Sequence, residues 1–217
     1  MSRRADVQAV ATHLHEIFPT LDATGQRLSL ALYRELARGA PVALPRLASL
    51  LELRADEVGR RLQAWPGVFF DDAQRVIGYW GLTLSRSTHR LRVDGRDLYT
   101  WCAWDTLFLP ALLDTKADVL SVCRGSGEPV ELTVGPSAVE SAHPAGLWVS
   151  FLLPETEAVR ANPVASFCHY VHFFRSRDAA RAWLGEHPGT FLLSLVDAYE
   201  VGRRRNRLRY GDLLALA

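Results

Sequence analysis

The chain has 217 residues, 48% of them hydrophobic and 23% charged, enough for one large or two small domains with real cores. A formal net charge of +1 at pH 7 supplies no global field for nucleic acid or an anionic membrane, so neither is expected as a partner. The three cysteines are an odd number in a chain that opens without a leader-like apolar run, which argues against a secreted disulfide framework and for free thiols in a reducing cytoplasm.

The first eighty or so residues read as a helical series. Residues 6–17 and 24–38 carry apolar positions at helical spacing, and Gly39 followed by Pro41 ends the second. Short helices are expected over 44–51 and 55–64, the latter with Asp56 and Glu57 in its first turn. After Trp65-Pro66-Gly67, strands over 68–70 and 76–80 flank a turn at 71–74. Helices followed by a short hairpin predict a winged helix-turn-helix-like N-terminal domain over residues 1–82. That region holds ten arginines against nine acids, a weak balance for a surface that tracks phosphates.

The periodicity changes from about residue 85. Residues 90–93 alternate, Asp94-Gly95 is a turn signal, and 97–101 resume an extended pattern. Further strands are expected over 118–123, 130–134, 147–153 and 170–174, with Gly125-Ser126-Gly127 as a hairpin turn. Helices are expected over 102–113, 155–160, 177–185 and 193–209. Residues 83–217 thus form an α+β domain, a mostly antiparallel sheet flanked by helices. The longest apolar stretches, such as 146–154, are too short to span a bilayer.

Two of the cysteines lie beside an acid or histidines. If a helix begins near Cys102, then Cys102 and Asp105 share a face, and the helix dipole favours a thiolate there. Taken alone, the pair also reads as a small buried hydrophobe and an exposed first-turn acid. Cys168 stands just before an expected strand, close to His169 and His172. A structural zinc site needs four closed ligands, and no tight pair of cysteines supplies them. Cys123, between a valine and an arginine, reads as structural. The chain has no Walker-type loop, no G-x-S-x-G elbow and no G-x-G-x-x-G fingerprint. The run Arg203-Arg204-Arg205-Asn206-Arg207 could bind phosphate, although an exposed helical end is the usual reading of such a cluster.

The segment Tyr99-Thr100-Trp101-Cys102-Ala103-Trp104-Asp105-Thr106-Leu107-Phe108-Leu109-Pro110-Ala111-Leu112-Leu113 resembles the organomercurial lyase (alkylmercury lyase) family. Val130-Glu131-Leu132-Thr133-Val134, Pro144-Ala145-Gly146 and Ser166-Phe167-Cys168-His169-Tyr170-Val171-His172-Phe173-Phe174 extend the match in order to the C-terminus. The resemblance implies that Cys102 and Cys168 bind mercury and that Asp105 is the catalytic acid and a possible further ligand. Cys123 matches a family cysteine outside that set, and His169 stands where some members carry another cysteine. The implied reaction is protonolysis of a carbon–mercury bond, giving a hydrocarbon and Hg(II) held by two thiolates, with no cofactor required. Trp101, Trp104 and Phe167 would wall the organic group, or are simply core. Small cellular thiols and a mercuric reductase are the implied partners for the product. The alternatives are a metal-responsive winged-helix DNA-binding regulator and a non-catalytic soft-metal carrier, which would not need the acid.

Overall fold

The computed structural model describes residues 6–214. Helix α1 (Val7–Glu16) is capped by the Asp6 carboxylate on the Gln8 amide, and α2 (Ala23–Leu36) by Asp22 on the Gly25 amide. These bonds satisfy first-turn amides that no backbone carbonyl can reach. Helices α3 (Leu44–Leu51) and α4 (Ala55–Ala64) follow, then strands β1 (Val68–Phe70) and β2 (Val76–Tyr79). The corner after β2, Trp80-Gly81, takes φ of 31° and 98° and leads into a short strand β3 (Leu82–Thr83).

Strands β4 (His89–Val93) and β5 (Arg96–Thr100) form a hairpin over Asp94-Gly95, both at positive φ, as a tight two-residue turn demands. Helix α5 runs over Asp105–Leu113 and stops at Asp114, which is left-handed. Strands β6 (Ala117–Val122), β7 (Pro129–Val134) and β8 (Val139–His143) complete an eight-stranded antiparallel sheet in the order β1-β2-β3-β5-β4-β6-β7-β8. Strict burial alternation along β6 turns one sheet face to the core and the other to solvent.

Strand β9 (Trp148–Phe151) belongs to a second sheet. Short helices α6 (Thr156–Ala161) and α7 (Pro163–Ser166) lead to a 3-10 turn at Cys168–Tyr170 and strand β10 (Phe173–Phe174). Helix α8 (Arg181–Glu186) and strand β11 (Phe191–Ser194) precede the long α9 (Leu195–Tyr210), capped by Ser194. The second sheet has the order β10-β9-β11, and a parallel bridge between Cys123 and Phe173 joins it to the first. One continuous core runs from Val10 and Leu28 through Val119 and Val149 to Val201, with α9 packed on both α1 and α5. No helix of the described residues is long and apolar enough to cross a membrane.

The α+β class with an antiparallel sheet agrees with the sequence reading, and several boundaries differ. Helix α5 starts three residues later than expected, so Cys102 lies in the turn before it. Of the strand expected over 170–174, only Phe173–Phe174 pairs, because Cys168–Tyr170 curls into a 3-10 turn. The helix expected over 177–185 begins at Arg181. Strands β3, β8 and β11 were not expected. β8 is a mostly exposed edge strand with no alternating apolar pattern, and β3 has only two residues.

Candidate active site

Strand β5 ends at Thr100, whose buried hydroxyl donates to the Cys102 carbonyl at 2.9 Å and shapes the turn into α5. Within that turn the Cys102 amide donates to Asp105 Oδ2 at 2.8 Å, so the carboxylate caps its own approach to the helix. The second segment is drawn in by the backbone. The Ala103 amide donates to the Val171 carbonyl at 3.2 Å, just past the 3-10 turn that begins at Cys168. Ser150 on β9 fixes the same stretch: its hydroxyl donates to the Tyr170 carbonyl at 2.7 Å and accepts from the His172 amide at 3.0 Å.

As a result the Cys102 sulfur, the Cys168 sulfur and an Asp105 oxygen all lie within 4.8 Å of one another, although 63 positions separate Asp105 from Cys168. Among the described residues this is the one group of three or more His, Cys, Asp or Glu side chains close enough to share an ion. The three residues are 0%, 5% and 4% exposed, respectively. His169 and His172 are not members; the His172 Nε2 bonds the His169 carbonyl at 2.8 Å.

Burial dominates the electrostatics. It raises the Asp105 carboxyl to about 6, against the pull of hydrogen bonds from the Cys102 side chain and amide and of the Arg205 charge. Burial likewise pushes the Cys102 thiol well above its ordinary value, helped by its hydrogen bond to Cys168 and the nearby Asp105 charge. This runs against the expectation that a helix terminus would favour a Cys102 thiolate: the residue precedes the helix and is fully buried. At Cys168 the hydrogen bond from Cys102 acts downward, while burial and the Asp105 charge outweigh it, for a net rise.

Glycine makes the site this tight. A Cβ on Gly81 would stand 2.5 Å from Asp105 Oδ1, and the Gly81 carbonyl accepts from the Trp101 amide at 3.0 Å. The corner itself is held by Tyr33 of α2, whose hydroxyl donates to the Trp80 carbonyl at 2.9 Å. Around the carboxyl lies an apolar slot lined by Trp101, Trp104, Phe167, Phe108, Phe18 and Val159 among others, with about 10 Å³ of free space, room for about one water molecule. Trp104 is locked by its indole N–H on the Ala198 carbonyl at 3.0 Å and meets Phe167 edge-on at 5.9 Å. Cys168 and Trp101 also line a larger pocket of about 590 Å³ on the other side. Ser150 and Tyr33 carry no signal along the sequence that would mark them as part of the site. Only Gly81 left a trace, as a glycine directly after an aromatic strand end.

Fold and site together define an α+β protein with a buried centre of two thiols and one carboxyl, a donor set suited to a soft metal. The comparisons are specific. The family profile for alkylmercury lyase (MerB) matches residues 82–205. An alkylmercury lyase of Streptomyces lividans is 40% identical over 201 residues, covering 92% of each chain. The enzyme of Staphylococcus epidermidis is 40% identical over 199 residues, 91% of this chain and 90% of that one. The enzyme of Pseudomonas putida is 42% identical over 177 residues, 81% of each. The crystal structure of the mercury-bound form of MerB2 superposes with a TM-score of 0.70 over 93% of this chain and 97% of that one, at 22% identity, a likeness of fold. The chain belongs to the alkylmercury lyase family.

Proposed function

We propose that this protein cleaves the carbon–mercury bond of alkyl and aryl mercury compounds by protonolysis. The observation that supports it most is the convergence of two thiols and a carboxyl from remote segments at one buried site. Cys168, the member of the pair that lines the open pocket, captures the organomercurial first; mercury bonds its sulfur, and the displaced ligand leaves with the Cys168 proton. Cys102, which holds its proton firmly until mercury arrives, then yields it to the Asp105 carboxylate and becomes the second thiolate ligand. Two thiolates push electron density onto mercury and so onto the bound carbon. Protonated Asp105 gives its proton to that carbon, the C–Hg bond breaks, and a hydrocarbon departs. The balance is one organomercurial and two thiols in, one hydrocarbon, one protonated leaving group and bis-thiolate Hg(II) out.

A carboxyl near 6 suits this double duty, since it is neither firmly charged nor firmly neutral close to neutral pH. The reaction as written requires no cofactor. Its product is Hg(II), for which small thiols and a mercuric reductase are the recipients we propose, in a cytoplasm that keeps thiols reduced. Trp101, Trp104 and Phe167 serve as the apolar wall beside the reacting carbon, while the rest of the organic group extends into the open pocket that Trp101 also lines.

We read residues 1–82 as a winged-helix-like domain retained as scaffold. Arg60 and Arg61, the basic residues of its candidate recognition helix α4, are engaged by Asp56, Glu57 and Asp22, which leaves little charge for phosphates. The test is incubation with phenylmercury and excess thiol, with benzene measured by gas chromatography. Benzene is expected from the native chain and none from Cys102→Ser or Cys168→Ser; full release by either variant would overturn the mechanism.

A further inference from the structure

Mercury compounds prefer thiolates so strongly that, wherever free thiols abound, they travel as thiolate adducts. If the lyase reading holds, the reacting molecule therefore arrives with a carrier thiol attached, and that carrier needs a place outside Cys168. The apolar slot by Asp105 has no room for it. On its other side Cys168 opens onto the pocket of about 590 Å³, a volume that fits a small thiol together with an organic group.

The lining of that pocket has a definite chemical character. Trp101, Val122 and Val164 give it an apolar wall, and no carboxylate lines it. Its permanent charge is Arg124, whose guanidinium stands over the Trp183 ring at 5.0 Å and forms no ion pair with another described residue. Glu128, the nearest acid in sequence, is engaged by Arg175. His89 and His172 also line the pocket, and burial lowers them to about 3 and about 4, so they are uncharged polar groups at neutral pH, one ring nitrogen of each already engaged, by the Ser121 hydroxyl at 2.7 Å and the His169 carbonyl at 2.8 Å. A single cation, neutral polar groups and the Cys168 sulfur in one pocket match a thiol that carries its own anionic group.

We infer that this pocket seats the carrier thiol during exchange with Cys168, and that Arg124 selects carriers bearing a carboxylate. In the exchange the Cys168 sulfur bonds mercury, the bond from mercury to the carrier sulfur breaks, and the carrier leaves as a thiol with the proton that Cys168 gave up. After protonolysis two such thiols reverse the process, each giving its proton to a departing cysteine while its sulfur takes mercury. The inference rests on the lyase reading and adds to it the chemistry of the carrier.

The test compares phenylmercury presented as its 3-mercaptopropionate adduct, which is anionic, with its 2-mercaptoethanol adduct, which is neutral, at equal excess of each thiol. In the native chain kcat/KM for benzene release should be higher with the anionic adduct. Arg124→Ala should lower that value by about threefold, the effect of one exposed ion pair, and leave the neutral adduct unchanged. Arg124→Glu should lower it further, and Arg124→Lys should retain most of it. Equal effects on both adducts, or none on either in Arg124→Glu, would overturn the role of Arg124 while leaving the lyase reading intact. Benzene from neither adduct with the native chain would overturn the lyase reading, and the inference with it.

Discussion

Replacing Asp105 by Asn keeps a carbonyl oxygen for the Cys102 amide, now 2.8 Å from the carboxylate, and removes the ionisable proton. The native carboxyl is raised from 3.8 to about 6 by burial, with the opposing pull of Arg205 already included. Such a shift of about two units means that the ionised form costs the folded state about 3 kcal/mol. The sign follows from the raised value: the stability associated with this group is fully present below the unfolded value of 3.8 and is lost as pH rises through about 6. At pH 7 the Asn variant should therefore be the more stable protein by up to about 3 kcal/mol, and near pH 4 the two should converge. Urea unfolding followed by tryptophan fluorescence at both pH values measures this directly. The same variant should retain mercury binding through its two thiols and release benzene at least about a hundredfold more slowly, for want of the acid. Equal unfolding midpoints for the two proteins at pH 7 would refute the claim that Asp105 is held in an unfavourable, desolvated setting for catalysis.

Gly81→Ala should displace the carboxyl, because the new Cβ would lie 2.5 Å from Oδ1 at a φ of 98°; benzene release should fall by about a hundredfold while the chain still folds, as circular dichroism would show. Ser150→Ala removes both bonds that clamp the stretch between Tyr170 and His172, and should lower unfolding stability by about 1–3 kcal/mol in denaturant titration and loosen Cys168. The benzene-release rate should lose activity on the acid side near pH 6, where Asp105 ceases to be available as the acceptor of the Cys102 proton. In Asp105→Asn that limb should vanish from the residual rate. Titration of the native chain with Hg(II) should show one tight equivalent, from the thiolate-to-mercury absorbance in the ultraviolet, and Cys168→Ser should abolish the tight phase.

The amino-acid sequence by itself determined a good deal. Helical periodicity placed α1 and α2 to within a few residues, since a helix laid on a core must repeat its apolar positions at helical spacing. Asp94-Gly95 marked the β4–β5 hairpin because few residues tolerate two successive positive φ values. The residues around Cys102, Asp105 and Cys168 carried the family resemblance, since their chemistry is local to two short motifs. Tertiary structure alone decided that those motifs meet, through a backbone bond from Ala103 to Val171 and the Ser150 clamp, neither of which leaves a pattern along the chain. It also reversed the expected character of the Cys102 thiol. A sulfur's acidity depends on the water and charge around it, and those are set by which distant residues close over it.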